Sequence, residues 1–179
     1  MSFREDLRSQ RFWRCVLAEL LASIILVWVI LGSSVQGQGV GVSGLVQVAV
    51  AGGFSVVSLV QCFGEISGAH VNPAVTVAFL CTRKLDVLWS VSYILAQCLG
   101  AILGSGMVYL SLPITSSPAQ LVSVISEDGN AGQALGMEVL ATFQLVFTIF
   151  AVNERRRSKG AEPGGLAIGL SLTAGILAS

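Results

Sequence analysis

The residues of this chain best suited to chemistry are an amide, a proline and a small residue at Asn72-Pro73-Ala74, within the stretch Ser67-Gly-Ala-His-Val-Asn-Pro-Ala-Val-Thr76. The apolar run that begins there ends at Thr82, before two basic residues. At about 1.5 Å per residue, such a run forms a helix about 16 Å long, half of a hydrocarbon core of about 30 Å. The sequence therefore predicts a half-helix whose first residue meets a polar molecule at mid-bilayer.

Each residue of this motif has a role at the start of a half-helix. The Asn72 amide can donate to the oxygen of a passing molecule, at the point where the first turn leaves N–H groups unpaired and carries about half a positive charge. That positive end opposes cations and proton hopping along a water chain. Pro73 fits the first turn because it has no N–H group, and Ala74 keeps the contact small. The alternative is an ordinary Asn cap followed by proline, as found in soluble proteins.

The stretch 64–71 before the motif is expected to be extended, non-helical backbone. Its glycines, Gly64 and Gly68, allow unusual dihedral angles, and its carbonyl groups can line a polar path where protein shields them from lipid. His70, the one histidine of the chain, is interpreted either as a donor that lines this path or as a packed, hydrogen-bonded core residue.

Three further polar residues fall inside apolar segments, where ionisable groups are costly and usually functional. We expect Glu19 and Glu138 to brace re-entrant loops by accepting hydrogen bonds from their backbone, and Gln97 to do similar work. A direct chemical role for the carboxylates is the alternative. The sequence contains no recognisable nucleophile–base set, phosphate loop or metal cluster, so we expect no enzyme activity, no cofactor and no metal site.

The composition indicates a polytopic membrane protein. Of the 179 residues, 54% are hydrophobic and 11% are charged, and the mean hydropathy is +0.80. A soluble domain would carry about 25% charged residues. The net charge of zero argues against a nucleic-acid partner. The four cysteines lack metal-ligand spacing and are interpreted as small apolar residues.

The elements that must position the motif are apolar segments of spanning length, which have to be helical in lipid because unpaired backbone groups are costly there. The fifth segment is incomplete at the end of the sequence, and one further segment has half the spanning length. The predicted spans are Phe12–Leu31, Leu45–Phe63, Val87–Leu110, Ala134–Val152 and Leu166–Ser179, and the half-length segment is Val71–Thr82.

The positive charges predict orientation. All ten Lys and Arg residues fall in three groups: one at the N-terminus (Arg4, Arg8, Arg11, Arg14), one directly after the half-length segment (Arg83, Lys84), and one in the connection that contains Arg155, Arg156, Arg157 and Lys159. A cytoplasmic N-terminus places all three groups inside only if segment 71–82 enters and leaves on the same side. We therefore expect a re-entrant half-helix in a multi-pass protein of the plasma membrane. The last group is interpreted as a solvated loop.

An internal repeat supports this arrangement. Residues Ala18–Ser23 resemble Met137–Thr142, 119 positions further on, and Gly53–Val56 resemble Gly169–Leu172, 116 positions further on. Because three crossings separate the copies, they have opposite topology, as in inverted-repeat transporters. We expect one channel domain over 1–179, with a first repeat at about 12–112 and a partial second repeat at about 132–179. The counterpart of Asn72 would lie near position 188, so a second re-entrant loop and a sixth span are expected to be missing.

On these residues the chain resembles the aquaporin (major intrinsic protein) family. The motif at Ser67–Thr76 is specific to that family, and Cys81-Thr-Arg-Lys84, Ala96-Gln-Cys-Leu-Gly100 and the stretch 142–151 are similar to the vertebrate water-selective, brain-type branch. The resemblance implies an all-α membrane fold, a right-handed inverted-repeat bundle with re-entrant half-helices, assembled as a homotetramer. It also implies that Gly68, Ala69 and His70 present pore-lining carbonyl groups, with Asn72 at the centre.

The sequence departs from the family pattern at its selectivity filter. Gly52 stands where an aromatic residue usually narrows the filter, and Ile176 stands where water channels usually hold histidine. Glu65 replaces a usual histidine before the motif, and residues 174–179 depart most from the family. A complete form would have a wider, less polar filter, so small neutral solutes such as glycerol could accompany water.

Three functions remain open at this point. The first is a passive water channel in the lipid bilayer. The second is a truncated, non-conducting isoform that enters hetero-tetramers with full-length channel subunits. The third is an ion-coupled transporter, which the inverted repeat alone would allow, although no span combines an acidic residue with an obvious ion site.

Overall fold

The computed structural model describes residues 3–36, 42–111, 129–159 and 164–178, and within these ranges the chain is entirely helical outside turns and short connections. In chain order the helices are α1 (Phe3–Arg8), α2 (Gln10–Gln36), α3 (Val42–Phe63), α4 (Pro73–Cys81), α5 (Val87–Ser111), α6 (Ala131–Lys159) and α7 (Gly165–Ala178).

Four helices are long and apolar enough to cross a membrane: Gln10–Val35, Gly44–Phe63, Val87–Ser111 and Ala131–Arg155. Their positions confirm four of the predicted spans, and α7 is a shorter apolar helix of 14 residues. Helix α4 has only nine residues, about 13 Å at the helical rise, so it cannot cross. The all-helical fold with a half-length helix between two full spans is thus confirmed.

One prediction about the connections was wrong. The basic group at 155–159 was interpreted as a loop, but α6 continues through it to Lys159. Basic side chains are compatible with this extension because they favour the C-terminal end of a helix. The side chains of Arg156, Arg157 and Lys159 lie outside the described residues, as does most of the connection between α5 and α6.

Helices α2 and α5 pack backbone to backbone through two glycines one helical turn apart. A Cβ atom added to Gly100 would lie 2.7 Å from the Leu20 carbonyl oxygen, and one added to Gly104 would lie 2.6 Å from that of Ile24. Such small residues let membrane helices approach closely. A Cβ atom on Gly106 would meet none of the described atoms within 4 Å, so Gly106 takes no part in this close approach.

Helices α3 and α7 meet at repeat-equivalent glycines. A Cβ atom added to Gly53 would lie 2.8 Å from the Gly169 carbonyl oxygen, and one added to Gly169 would collide with the Gly53 carbonyl oxygen. Each residue thus contacts its own counterpart, as residues on a two-fold axis do in an isologous interface.

The contacts around this glycine pair are reciprocal as well. The Thr173 hydroxyl donates to the Ala49 carbonyl oxygen at 3.2 Å. Gly53 and Gly169 are 116 positions apart. At the same spacing, Thr173 corresponds to Val57 and Ala49 corresponds to Gly165, so the equivalent contact joins Val57 and Gly165. A Cβ atom on Gly165 would lie 3.0 Å from the Val57 carbonyl oxygen. This reciprocity is the structural form of the inverted repeat predicted from the sequence.

The core that seats the re-entrant segment combines both repeats. Its buried members come from α3, the connection before α4, α4 itself, α6 and α7: Val60, Ala69, Val75, Ile149 and Ile168. Apolar packing from three other helices, α3, α6 and α7, therefore surrounds the segment that carries the motif.

Candidate functional site

Helix α4 begins with its cap formed by the motif asparagine. Asn72 has extended dihedral angles (φ −150°, ψ 126°), and its Oδ1 atom accepts a hydrogen bond from the Ala74 N–H at 2.8 Å. Pro73 occupies the first turn, where its lack of an N–H group costs nothing. Because capping uses the side-chain oxygen, the Asn72 Nδ2 group remains a donor for a solute.

Helix α4 ends in a turn that reverses the chain. The Arg83 N–H bonds to the Leu80 carbonyl oxygen and the Lys84 N–H to that of Phe79, both at 2.9 Å. Arg83 has φ 55°, in the left-handed region that commonly closes a helix. Helix α5 begins at Val87, so only a short turn joins the nine-residue helix to the next full-length span.

The backbone before the motif is held in unusual conformations. Gly68, Ala69 and Val71 have positive φ angles of 93°, 47° and 52°. A β-branched residue such as Val71 is a clear outlier there, and each strained residue costs about 1–3 kcal/mol. Such backbone persists only where its surroundings over-determine it, so its hydrogen-bond partners decide the geometry of the path.

Those partners converge on a carboxylate of α2. Glu19 is 0% exposed. Its Oε1 atom accepts from the Ser67 hydroxyl at 2.6 Å and the His70 N–H at 3.0 Å, and its Oε2 atom accepts from the Val71 N–H at 2.8 Å and Gln97 Nε2 at 2.9 Å. Four donors to one carboxylate satisfy a buried charge that would otherwise be prohibitive.

Thr76 connects this carboxylate to the half-helix. Gln97 Nε2 also donates to Thr76 Oγ1 at 3.0 Å, and Thr76 Oγ1 lies 3.2 Å from the Asn72 carbonyl oxygen and 3.2 Å from His70 Nδ1. Thr76 is 0% exposed. The sequence analysis missed its role, although a polar residue four positions after Asn72 in an apolar helix was the available signal.

Two further contacts were also missed. The Tyr93 hydroxyl donates to the Ser67 carbonyl oxygen at 2.9 Å, and the Cys15 thiol donates to the Ile66 carbonyl oxygen at 2.9 Å. Tyr93 and Cys15 are buried within predicted spans. Since tyrosine and cysteine are ordinary in apolar segments, no sequence signal identified them.

Three cavities that share lining residues lie along the segment that carries the motif. An outer one of about 480 Å3 opens beside Lys84, a narrow one of about 40 Å3 follows, and a third of about 50 Å3 reaches Asn72. All three include His70 in their lining, and the first two also share Gly68 and Asn153. A water molecule needs about 10–15 Å3 of such volume, so each narrow cavity has room for only a few.

The structure shows His70 as a packed, hydrogen-bonded residue that also lines cavities. The side chain is 8% exposed and its ring lies 4.3 Å from that of Phe79, centroid to centroid, so it is a packed residue. The same ring lines the cavities, with its Nδ1 edge held by Thr76. The hydrogen bond fixes the ring beside the path.

The two candidate filter positions lie together, away from this network. A Cβ atom on Gly52 would lie 3.3 Å from Ile176 Cδ1 and 3.5 Å from Ile30 Cγ1. Gly52 lies about 18 Å along α3 from Gly64, at the helical rise. The structure thus brings Gly52 and Ile176 into one apolar contact.

The structure does not bring Glu138 to any such network. Its side chain is exposed on α6, and within the described part of the chain its carboxylate has no hydrogen-bond partner. The apolar window of α6 is 0% buried, against 28% for that of α2. Glu19, Gln97, Gly68, Ala69, His70 and Asn72 therefore form one site, and Glu138 lies outside it.

Comparison with known proteins agrees with this geometry. The family model described as Major intrinsic protein matches residues 6–179. The chain is 44% identical over 172 residues to Aquaporin-4 of Homo sapiens, covering 94% of this chain and 53% of that protein. It is 37% identical to Aquaporin FA-CHIP of Pelophylax lessonae, covering 96% of this chain and 67% of that protein. It is 40% identical to the lens fiber major intrinsic protein of Bos taurus, covering 96% and 65%.

The chain spans about half the length of the Aquaporin-4 sequences it matches. The family model, in contrast, covers nearly all of this chain, and the re-entrant site lies within the matched region. The chain belongs to the major intrinsic protein (aquaporin) family.

Proposed function

We propose that this chain is a passive transmembrane water channel of the aquaporin type, with Asn72 as its central donor. The observation that carries the proposal is the cap of α4, which occupies the Asn72 side-chain oxygen and leaves its Nδ2 group free to donate, in a residue that lines a cavity of about 50 Å3. A donor at the positive end of a half-helix, inside a space for a few waters, suits a small neutral solute and opposes cations.

The path supplies acceptors as well as this donor. The positive φ angles at Gly68 and Ala69 turn successive peptide groups of the segment, and the carbonyl groups of Gly68, Ala69 and His70 are the proposed pore-lining acceptors. Glu19 takes the N–H groups on the other side of this backbone. Water molecules then exchange hydrogen-bond partners along these fixed groups, and no covalent bond is made or broken. The proposed activity is therefore transport and not catalysis.

The filter is proposed to be less polar than that of a water-only channel. Gly52 adds no side chain and Ile176 adds an apolar one where they meet. Removing hydrogen-bonding side chains and bulk from a constriction favours neutral solutes such as glycerol in addition to water. Glycerol uptake by vesicles that contain the protein tests this point, and permeability to water without glycerol or urea would contradict it.

The proposed setting is a multi-pass protein of the plasma membrane with a cytoplasmic N-terminus, assembled as a homotetramer or with full-length relatives. Basic residues support that orientation, because they lie near the start of the first span and directly after the half-helix: Arg11, Arg14, Arg83 and Lys84. Large apolar side chains exposed on α5 and α6, such as Ile102 and Phe143 at 69% and 65%, suit lipid or neighbouring subunits.

A second candidate is a non-conducting subunit that associates with full-length channel subunits. The exposed α6 face around Glu138 favours this second candidate. A carboxylate within a span requires hydrogen-bond donors, and the described residues offer none to Glu138.

Water flux in proteoliposomes separates the two candidates. If the chain is a water channel, we expect osmotic shrinkage faster than in protein-free vesicles. The rate should return to the protein-free value in Asn72→Leu and should equal that of the unaltered chain in Glu138→Gln. Absence of flux, together with co-purification with a full-length relative after co-expression, would favour the non-conducting subunit.

A further inference from the structure

The outer cavity has the dimensions of a ligand site. We call it the mouth cavity; it has about 480 Å3 and its lining includes His70, Phe79, Lys84, Leu85 and Asn153. Small-molecule sites typically occupy about 300–1,000 Å3 and combine apolar walls with a few polar groups. This cavity has both kinds of lining, so its chemistry identifies what it would accept.

One positive charge is held at the rim of the mouth cavity. The Lys84 ammonium lies 4.6 Å from the centroid of the Phe150 ring, which stacks on Phe79 at 4.8 Å. The turn at Arg83 directs the chain back toward this stack, with the Lys84 N–H bonded to the Phe79 carbonyl oxygen. A cation–π contact positions an ammonium group without neutralising it, so Lys84 keeps its charge for a ligand.

The remaining polar lining is neutral. Within the described part of the chain, the Asn153 amide has no hydrogen-bond partner, and no carboxylate side chain lines the mouth cavity. His70 already uses Nδ1 toward Thr76. The mouth cavity therefore combines one cation and one free amide with the apolar surfaces of Phe79 and Leu85.

We propose that the mouth cavity binds small organic monocarboxylates with an apolar body. The carboxylate accepts from the Lys84 ammonium and the Asn153 amide, and the body packs on Phe79 and Leu85. Because the mouth cavity and the narrow cavity share Gly68, His70 and Asn153 in their linings, a bound acid lies at the entrance to the narrow cavity. The binding itself does not depend on water conduction.

The test uses the whole chain in nanodiscs of zwitterionic lipid, with para-fluorobenzoate as the probe and fluorine NMR as the measurement. We expect saturable binding that weakens about tenfold or more in Lys84→Gln, because a charge-assisted hydrogen bond is lost. Asn153→Ala weakens it less, and Lys84→Arg retains it. The neutral isostere para-fluorobenzamide binds less tightly than the acid.

Arg83→Gln is the matched control, since it removes the neighbouring exposed cation, which is not in the lining. Binding should persist in this variant, and retention in Lys84→Arg shows that the fold tolerates change at the position. Equal affinities for acid and amide, absence of saturable binding, or equal loss in Arg83→Gln and Lys84→Gln would each overturn the proposal.

Discussion

Glu19 on α2 and Glu138 on α6 stand at equivalent positions of the internal repeat, and the structure surrounds them differently. Glu19 is 0% exposed and accepts four hydrogen bonds, three of them from the segment 67–71. Glu138 is exposed on a helix whose apolar window is 0% buried. The same residue type in a similar local sequence thus has opposite surroundings.

The difference shows which condition a carboxylate must meet to be buried inside a membrane bundle. A lone buried charge is too costly, so burial requires donors that arrive with the neighbouring element. In the first repeat the re-entrant backbone and Gln97 supply them, and α5 closes the face through Gly100. Around Glu138 the described residues supply neither. The second repeat therefore provides the internal control for the first.

The largest expected effect comes from the carboxylates themselves. Glu19→Gln places an amide among donors, so it removes at least two charge-assisted hydrogen bonds and should lower the free energy of unfolding by about 3 kcal/mol or more. Glu138→Gln should change it by less than about 0.5 kcal/mol, as for an ordinary exposed substitution. Unfolding in mixed detergent micelles measures both, and equal losses would refute the comparison.

A second effect concerns helix packing. Gly100→Ala adds a Cβ atom 2.7 Å from a backbone oxygen, and such overpacking should cost about 1–3 kcal/mol. A Cβ atom on Gly136 of α6 would meet nothing within 4 Å among the residues that the structure describes, so Gly136→Ala should stabilise the helix by up to about 1 kcal/mol. The same unfolding assay applies, and a stable Gly100→Ala protein would show that the helices separate easily.

A smaller effect concerns the threonine that links the carboxylate to the half-helix. Thr76→Val keeps the shape and removes the hydroxyl contacts to Asn72, Gln97 and His70, which should cost about 1–2 kcal/mol because buried partners are left unpaired. Thr148→Val on the half-buried side of α6 removes hydroxyl contacts to the Gln144 carbonyl oxygen at 2.9 Å and to the Ser171 hydroxyl at 3.1 Å, and should cost less, about 0.5–1 kcal/mol, because its site is only partly buried. The reverse order of losses would contradict the network.

Much of the fold was predictable from the sequence because its signals are local. Segment length and apolarity located the spans, and the short run after Asn72 predicted α4. The repeat of Gly53 and Gly169 predicted an inverted arrangement, and the two glycines meet in the structure. The extension of α6 to Lys159 was missed because a basic cluster reads equally as a loop or as a helix end.

The site was less predictable because its geometry depends on side-chain partners distant in sequence. Nothing local in Tyr93 or Cys15 distinguishes a hydrogen-bonding role from packing, and the polar side chain of Thr76 in an apolar helix does not say which distant partners it meets. The repeat assigned the same role to Glu19 and Glu138, but sequence similarity carries no information on which donors surround each carboxylate. Positive φ angles at Ala69 and Val71 were also beyond sequence reasoning, since glycine alone signals them.

Backbone hydrogen exchange at His70 and Val71 tests the central claim most directly, namely that the Glu19 carboxylate holds the re-entrant segment. The account predicts slow exchange of both N–H groups in the unaltered chain, faster exchange of both in Glu19→Gln, and no change in Glu138→Gln. Exchange at His70 and Val71 as fast as in an open loop, or unaffected by Glu19→Gln, would contradict it.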